Sequence, residues 1–322
     1  MDSKKTVGIV GGAGYTAGEL LRLLLHHPFI EISFIHSNSQ AGKAVTSIHT
    51  DLLGDTDLQF TGTLGNADIV FLCMGHGESR KFLGANPMAE TIVIDLSQDF
   101  RLEADREDFL YGLPELNREK IKGAQYIANP GCFATCIILG LLPLAAANAL
   151  KNPVHISGMT GSTGAGQSLS PTAHFSWRNN NISVYKAFKH QHLAEITESV
   201  KALQPDFAEA IHFIPYRGNF TRGILASSYL TSDLTEAAAI KIYEDYYQNH
   251  PFTIVSKENP DLKQVVNTNK ALVYIEKQDD QLLIITCIDN LLKGASGQAV
   301  HNMNLVCGWD ESTGLRLKAG AF

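Results

Sequence analysis

Cysteine is scarce in this chain: five residues, at positions 73, 132, 136, 287 and 307, an odd number with no C-x-x-C pair. That excludes a disulfide framework and a zinc knuckle, and it suits a reducing compartment. Positive charge is in the minority, with 26 Lys and Arg against 33 Asp and Glu. No basic footprint for nucleic acid is therefore present. No apolar run approaches the length of a membrane span, so no membrane association is expected. Internal repeats and low-complexity segments are absent. The first residues, Met1-Asp2-Ser3-Lys4-Lys5, lead directly into an apolar strand pattern. They leave no room for a signal peptide, and a cytoplasmic location is the expectation.

The 322 residues exceed one ordinary core and fit two domains. Residues 6–10 read as a short apolar strand. Gly11-Gly12-Ala13-Gly14-Tyr15-Thr16-Ala17-Gly18 follows, then a helical run over 19–25 and a second strand over 31–35. Strand, glycine turn, helix, strand is the mononucleotide-binding unit. Gly11 and Gly14 let backbone approach a pyrophosphate, and Tyr15 and Thr16 open the helix whose N-terminus favours the anion. The spacing is looser than G-x-G-x-x-G. The position of the turn at the first strand of an α/β chain carries the reading, and its plain alternative is a turn that only packs helix on sheet. The second strand ends in His36-Ser37-Asn38-Ser39, without the acid an NAD site places there. Ser37 and Ser39, with Lys43 nearby, suit a ribose 2′-phosphate, so NADP(H) is the expected cofactor. A simple polar turn is the alternative. Residues 68–73 and 91–96 are near-continuous apolar runs, as buried parallel strands are.

Cys132 stands where a strand over 126–128 gives way to an apolar helical run over 137–144. At a helix N-terminus, unpaired N–H groups and the macrodipole favour a thiolate. A thiolate there can attack a carbonyl and hold the oxyanion it creates. Taken alone, Cys132 reads more simply as a buried, inert thiol. The rest of the chain reverses that.

Beyond Cys132 the texture changes. Strands are expected over 154–159, 209–215, 222–232, 271–277 and 281–288, forming a mixed or antiparallel sheet, with helices over 190–203 and 235–249. The segment holding Gly164 and Gly166 is too glycine-rich for an element and reads as a loop that lets backbone approach a ligand. His190, His192 and Glu195 share one segment, and His192 and Glu195 share a helix face. A helix start keeps a histidine neutral, as a general base must be. A solvated helix start is the alternative. Zinc is disfavoured because nothing completes a tetrahedral set. Arg101, Arg217 and Lys293 lie near glycines or loops and are candidates for an anionic substrate, with surface solvation as the alternative for each. A turn over 289–296 enters a last helix ending near Cys307.

With these residues in place, the chain resembles the aspartate-semialdehyde dehydrogenase-like enzymes and, within them, the N-acetyl-γ-glutamyl-phosphate reductase family. The resemblance runs nearly end to end. Its most specific parts are Pro130-Gly131-Cys132, His190-x-His192-x-x-Glu195, and the segment from Asp289 through Asn290 to Ala299. It implies Cys132 as nucleophile, His190 as acid/base, and His192 and Glu195 in support. It adds Gly164, Gly166 and Asn290 to the cofactor residues and Asn129 to the substrate residues. The implied fold is α/β: a Rossmann-type NADP-binding domain (1–131), a catalytic and oligomerisation domain with a mixed sheet (132–294), and a C-terminal helix returning to the first domain (295–322). The implied reaction is NADPH-dependent reduction of an acyl phosphate to a semialdehyde through a cysteine thioester, in arginine biosynthesis, by a homodimer or homotetramer. Phe133, Gln167 and Gln191 depart from the family's usual Tyr, Arg and Arg. Two planar cations are lost, and the N-acyl group, acetyl or succinyl, stays open. Aspartate-semialdehyde reduction and a non-catalytic NADP-binding regulator are the other readings.

Overall fold

The computed structural model describes residues 4–321, in two compact units. The first unit comprises residues 1–130 and 295–316. Its elements in chain order are β1 (Lys5–Val10), α1 (Tyr15–Leu24), β2 (Ile30–His36), β3 (Ile69–Leu72), α2 (Glu78–Ala85), β4 (Ile92–Asp95), β5 (Leu110–Tyr111), α3 (Pro114–Ile121) and β6 (Tyr126–Ala128). The sheet order is β2-β1-β3-β4-β6-β5, and every pair is parallel. All four residues of β3 are buried, because a parallel sheet is covered on both faces. The strand order reverses at β1, which has β2 on one side and β3 on the other. In open α/β sheets ligands bind at that reversal, beyond the carboxyl ends of the strands.

The second unit holds residues 131–294 and 317–322. Its elements are α4 (Cys132–Ala146), β7 (Val154–Thr160), α5 (Phe175–Arg178), β8 (Ser183–Val184), α6 (His192–Leu203), β9 (Ile211–Arg217), β10 (Ile224–Thr231), α7 (Glu236–Tyr247), β11 (Thr253–Val255), β12 (Ala271–Gln278) and β13 (Gln281–Ile288). The sheet order is β11-β12-β13-β10-β7-β9-β8. The pairs β7/β9 and β11/β12 are parallel and the others antiparallel, so the sheet is mixed. Helix α4 is apolar all round, as a fully enclosed helix must be. It packs on β10, β12 and β13 and against α6 and α7. The opposite face of the sheet leaves Met159 and Tyr229 exposed.

A last helix, α8 (Gly297–Val306), belongs to the first unit and packs on α1, α3 and β4. The residues from Leu317 onward cluster with the second unit. Helix α8 buries several polar side chains, and two of their amides tie it to the backbone: Asn302 Nδ2 donates to Gly112 O at 2.8 Å, and Asn304 Nδ2 donates to Thr313 O at 2.9 Å. Below α8, the Glu311 carboxylate meets Arg118 and, at 2.7 Å, His301 Nε2.

Burial pushes the Glu311 carboxyl up, but hydrogen bonds from His301 and Arg118 outweigh it and bring its pKa to about 2. A depressed carboxyl pKa stabilises the fold above the unfolded value, and the contribution drains as pH falls toward the folded one. The window runs from about 4.5 down to about 2. At ~1.4 kcal/mol per unit, discounted for partial exposure, the contribution is about 2 kcal/mol. Glu311→Gln should unfold at lower urea at pH 7 and show a shallower acid limb. A variant whose stability falls with acid as steeply as the parent's counts against this assignment.

Candidate active site

Gly131 is the N-cap of α4, extended at φ −70° and ψ 150°, and Cys132 is the first helical residue. A helix start leaves N–H groups without intrahelical acceptors. Thr135 N–H returns to Gly131 O at 2.8 Å. Ala134 N–H donates to His192 Nδ1 at 3.3 Å, and Gly131 N–H donates to Glu195 Oε2 at 3.0 Å. The Phe133 N–H donates to none of the described residues, which makes it a ready donor for an oxyanion formed beside Cys132. His192 and Glu195 thus hold the turn that presents the thiol. They stand in the first turn of α6, buried, with His192 Nε2 at 3.8 Å from Glu195 Oε1. Because Nδ1 of His192 accepts, its proton sits on Nε2, facing that carboxylate.

His190 lies two residues ahead of α6 and is buried. Its ring packs against His192 (centroids 4.7 Å apart), Phe213 (5.4 Å), Phe133 (5.6 Å) and Tyr185 (5.8 Å). Burial, then the neighbouring His192 and Lys186, lower its pKa to about 3 against an opposing pull from Glu195. The ring is neutral at physiological pH. The sequence attributes that neutrality to a helix start, whereas the structure attributes it first to burial. Nδ1 accepts from His192 N–H at 3.3 Å, so the neutral ring carries its proton on Nε2.

The segment after β13 closes over the thiol. Asp289, fully buried, accepts from Arg222 Nε at 3.0 Å and Nη2 at 3.2 Å, and from the N–H groups of Asn267, Leu291 and Leu292. Asp289 O takes the Gly294 N–H at 2.9 Å. A Cβ on Gly294 would stand 2.9 Å from Cys132 Cβ, so only glycine lets this backbone lie on the thiol's own residue.

The other four thiols are quiet. Burial pushes Cys73 and Cys287 up to about 12, Cys307 up to about 11, and Cys136 well above its usual value. Iodoacetamide at neutral pH should therefore label Cys132 first, at about one equivalent. Peptide mapping that finds another cysteine modified at comparable speed would remove Cys132 as the reactive thiol.

In the first unit, Gly11 has φ +82°, and a Cβ there would stand 2.6 Å from Cys73 O. Its N–H and that of Gly12 both donate to His36 O at the end of β2. Gly14 caps α1, and Tyr15 and Thr16 begin it. Ser37 is buried with its N–H on Thr61 O, while Ser39 is exposed. Gly164 and Gly166 lie in a short 3-10 turn of the second unit and at its end.

Three of the expected site residues make hydrogen bonds within the fold. Arg101 is buried, with Nε on Asn129 O at 2.9 Å and Nη2 on Leu96 O at 2.8 Å. Asn129 spends its amide on Ala295 O and Asn302 Nδ2. Asn290 accepts from Gly223 N–H and donates to Thr163 Oγ1. Lys293 is fully buried. Arg217, at the end of β9, places its guanidinium carbon over the Tyr185 ring, 4.7 Å from the ring centre. Tyr185 joins the Cys132–His190 cluster without any sign in its sequence context.

Two family models match: the semialdehyde dehydrogenase NAD binding domain over residues 6–124, and the semialdehyde dehydrogenase dimerisation domain over residues 132–290. Among curated relatives, the N-acetyl-gamma-glutamyl-phosphate reductase of Parabacteroides distasonis is 56% identical over 318 residues, 98% of this chain and 99% of its own. That of Christiangramia forsetii is 55% identical over 317 residues, with the same coverage. Among solved structures, aspartate semialdehyde dehydrogenase II from Vibrio cholerae superposes with a TM-score of 0.73 at 16% identity, over 95% of this chain and 99% of that one. At that identity the likeness is one of fold.

Proposed function

The chain belongs to the N-acetyl-γ-glutamyl-phosphate reductase family of the semialdehyde dehydrogenases, and from that premise we propose how its residues carry out the family's reaction. The reaction is NADPH-dependent reductive dephosphorylation of N-acetyl-γ-glutamyl phosphate to N-acetylglutamate semialdehyde, a step of arginine biosynthesis. The observation that carries the reading is Cys132 at the first position of α4, with its turn held by His192 and Glu195 and with neutral His190 packed on the rings of His192 and of Phe133, the residue after the thiol.

The first unit fits a dinucleotide. At Gly14 no atom lies nearer than 4.0 Å to where a Cβ would stand, so the start of α1 is open to a phosphate. The turn after β2 offers Ser37, Asn38, Ser39 and Lys43 and no carboxylate, as a 2′-phosphate requires. Gly11, Gly14, Tyr15, Thr16, Ser37 and Ser39 are the residues proposed to hold NADP(H), with the loop at Gly164 and Gly166. Bound there, the reduced nicotinamide supplies the hydride.

Cys132 Sγ attacks the γ-carbonyl carbon. An S–C bond forms, the C–O bond to phosphate breaks, and inorganic phosphate leaves a thioester. The Phe133 N–H donates to each tetrahedral oxyanion, worth about 3 kcal/mol. After reduction, the His190 Nε2–H donates a hydrogen bond to the alkoxide, which collapses as the C=O reforms and the Cys132 thiolate departs. In this reading residues 1–131 form the NADP-binding domain, residues 132–294 the catalytic and oligomerisation domain, and α8 completes the first. The open sheet face at Met159 and Tyr229 is the surface for a second copy. None of the described helices is long and apolar enough to cross a membrane, and the proposed location is the cytoplasm.

The test runs the reaction backwards, as phosphate-dependent reduction of NADP⁺ with N-acetylglutamate semialdehyde and then N-succinylglutamate semialdehyde. Activity that requires phosphate is expected, and the ratio of the two rates reports the acyl group. Folded protein that binds NADPH but stays silent with both aldehydes would sink the reading.

A further inference from the structure

We propose that Arg217, set in place by Arg178 and Tyr185, is the receptor for the substrate's carboxylate; this rests on the reductase reading above. The sequence lacks the family's usual arginines at positions 167 and 191, where it has Gln167 and Gln191. A substrate carrying both a phosphate and a carboxylate still needs cations near Cys132. The structure supplies them from another part of the second unit. Arg217 ends β9, and its guanidinium covers the Tyr185 ring, whose other neighbour is His190. Tyr185 also feels the charge of Cys132, and its ring is the link between Arg217 and the surroundings of the thiol.

Two features mark this pair of arginines as a receptor. The first is the lack of a counterion: among the described residues no carboxylate pairs with Arg217 or Arg178. The second is an open valence. Arg217 Nε is buried and has no hydrogen-bond partner, a condition that native structures rarely leave uncompensated. Arg178 is committed to the scaffold. Its Nη1 donates to Arg217 O at 2.8 Å, its Nη2 to Ser183 Oγ at 3.3 Å, and its Nε to Thr172 O at 3.3 Å. It is a positioning residue that fixes the end of β9 and adds charge, and the two cations repel each other. A bound anion relieves that repulsion and meets the buried Nε. A guanidinium stacked on an aromatic ring presents its edge as a planar fork, which matches a planar carboxylate. The carboxylate is present in substrate and product alike, so a fixed receptor serves the whole cycle, whereas the phosphate must leave.

The reverse reaction separates the two anions, because the semialdehyde carries the carboxylate and phosphate is a separate reactant. Arg217→Gln should raise the KM for the semialdehyde about 100-fold, with kcat changed less than threefold and the KM values for phosphate and NADP⁺ unchanged. Arg217→Lys should recover part of the loss. On the unaltered protein, the semialdehyde's α-carboxamide should show the same rise in KM, which keeps the test independent of whether any variant folds. A rise in phosphate KM instead, or equal KM values for acid and amide, would overturn the proposal. The unaltered protein is assayed first: its silence would count against the reductase reading, whereas an active parent matched by Arg217→Gln would count against the receptor alone.

Discussion

Cys132→Ser is expected to lower kcat by about 10⁴-fold or more while leaving the Kd for NADPH within twofold of the parent's. The size follows from what His190 can do. A thiol ionises near neutral pH with a helix start to help it, so it needs no dedicated base. A serine hydroxyl needs one. His190 has Nδ1 occupied by the His192 N–H and its proton on Nε2, so it presents a donor to the reacting atoms. The serine variant would keep the Phe133 N–H and lose the nucleophile. Cys132 is not among the residues proposed to hold the cofactor, so NADPH binding should be largely untouched. Rapid-quench measurement of phosphate release, with fluorescence titration of NADPH, checks both halves. A serine variant within tenfold of the parent would mean that Cys132 is not the nucleophile.

Asp289→Ala is expected to cost about 3–5 kcal/mol of stability and to depress kcat among the molecules that remain folded. Arg222 and three backbone N–H groups converge on this fully buried carboxylate. Alanine would strand a guanidinium and those donors in the interior. The turn that carries Gly294 onto Cys132 would lose its anchor as well. Asp289→Asn keeps one acceptor and should lose less. A double variant, Asp289→Ala with Arg222→Met, should regain part of the loss, because the uncompensated charge goes with the arginine. Urea unfolding of the parent, Asp289→Ala, Arg222→Met and the double variant forms the cycle. Single and double variants that all unfold within 1 kcal/mol of the parent would show the network to be dispensable.

Much of this fold is legible in the sequence, because the parallel strands of the first unit read as continuous apolar runs and Gly11 to Gly18 sits where a glycine turn must. The strands that escape, β5, β8 and β11, have two or three residues, too few to show any period. The site is legible as motifs and not as roles. The spacing from His192 to Glu195 says only that they share a helix face. That one caps Ala134 and the other holds Gly131 depends on α6 packing against α4. Arg101 shows what its sequence context does not reveal. A loop arginine reads as a candidate for an anion or as a solvated side chain, and here it is buried with hydrogen bonds to backbone carbonyls. Arg178 and Tyr185 have no sequence signature at all, since their meaning comes from β8 and β9 meeting at a sheet edge.

Helix α8 sits last in the chain and yet completes the first unit, against α1, α3 and β4. On a ribosome adding ~5–20 residues per second, the amino-terminal sheet emerges and then waits roughly ten to thirty seconds for its missing wall. During that interval the surfaces of α1 and α3 that α8 will cover are open to chaperones and to other nascent chains. The second unit, contiguous from 131 to 294 apart from its short tail, can assemble in the meantime. Synthesis therefore allows the second unit to close first, and the first unit becomes whole only once α8 has been made.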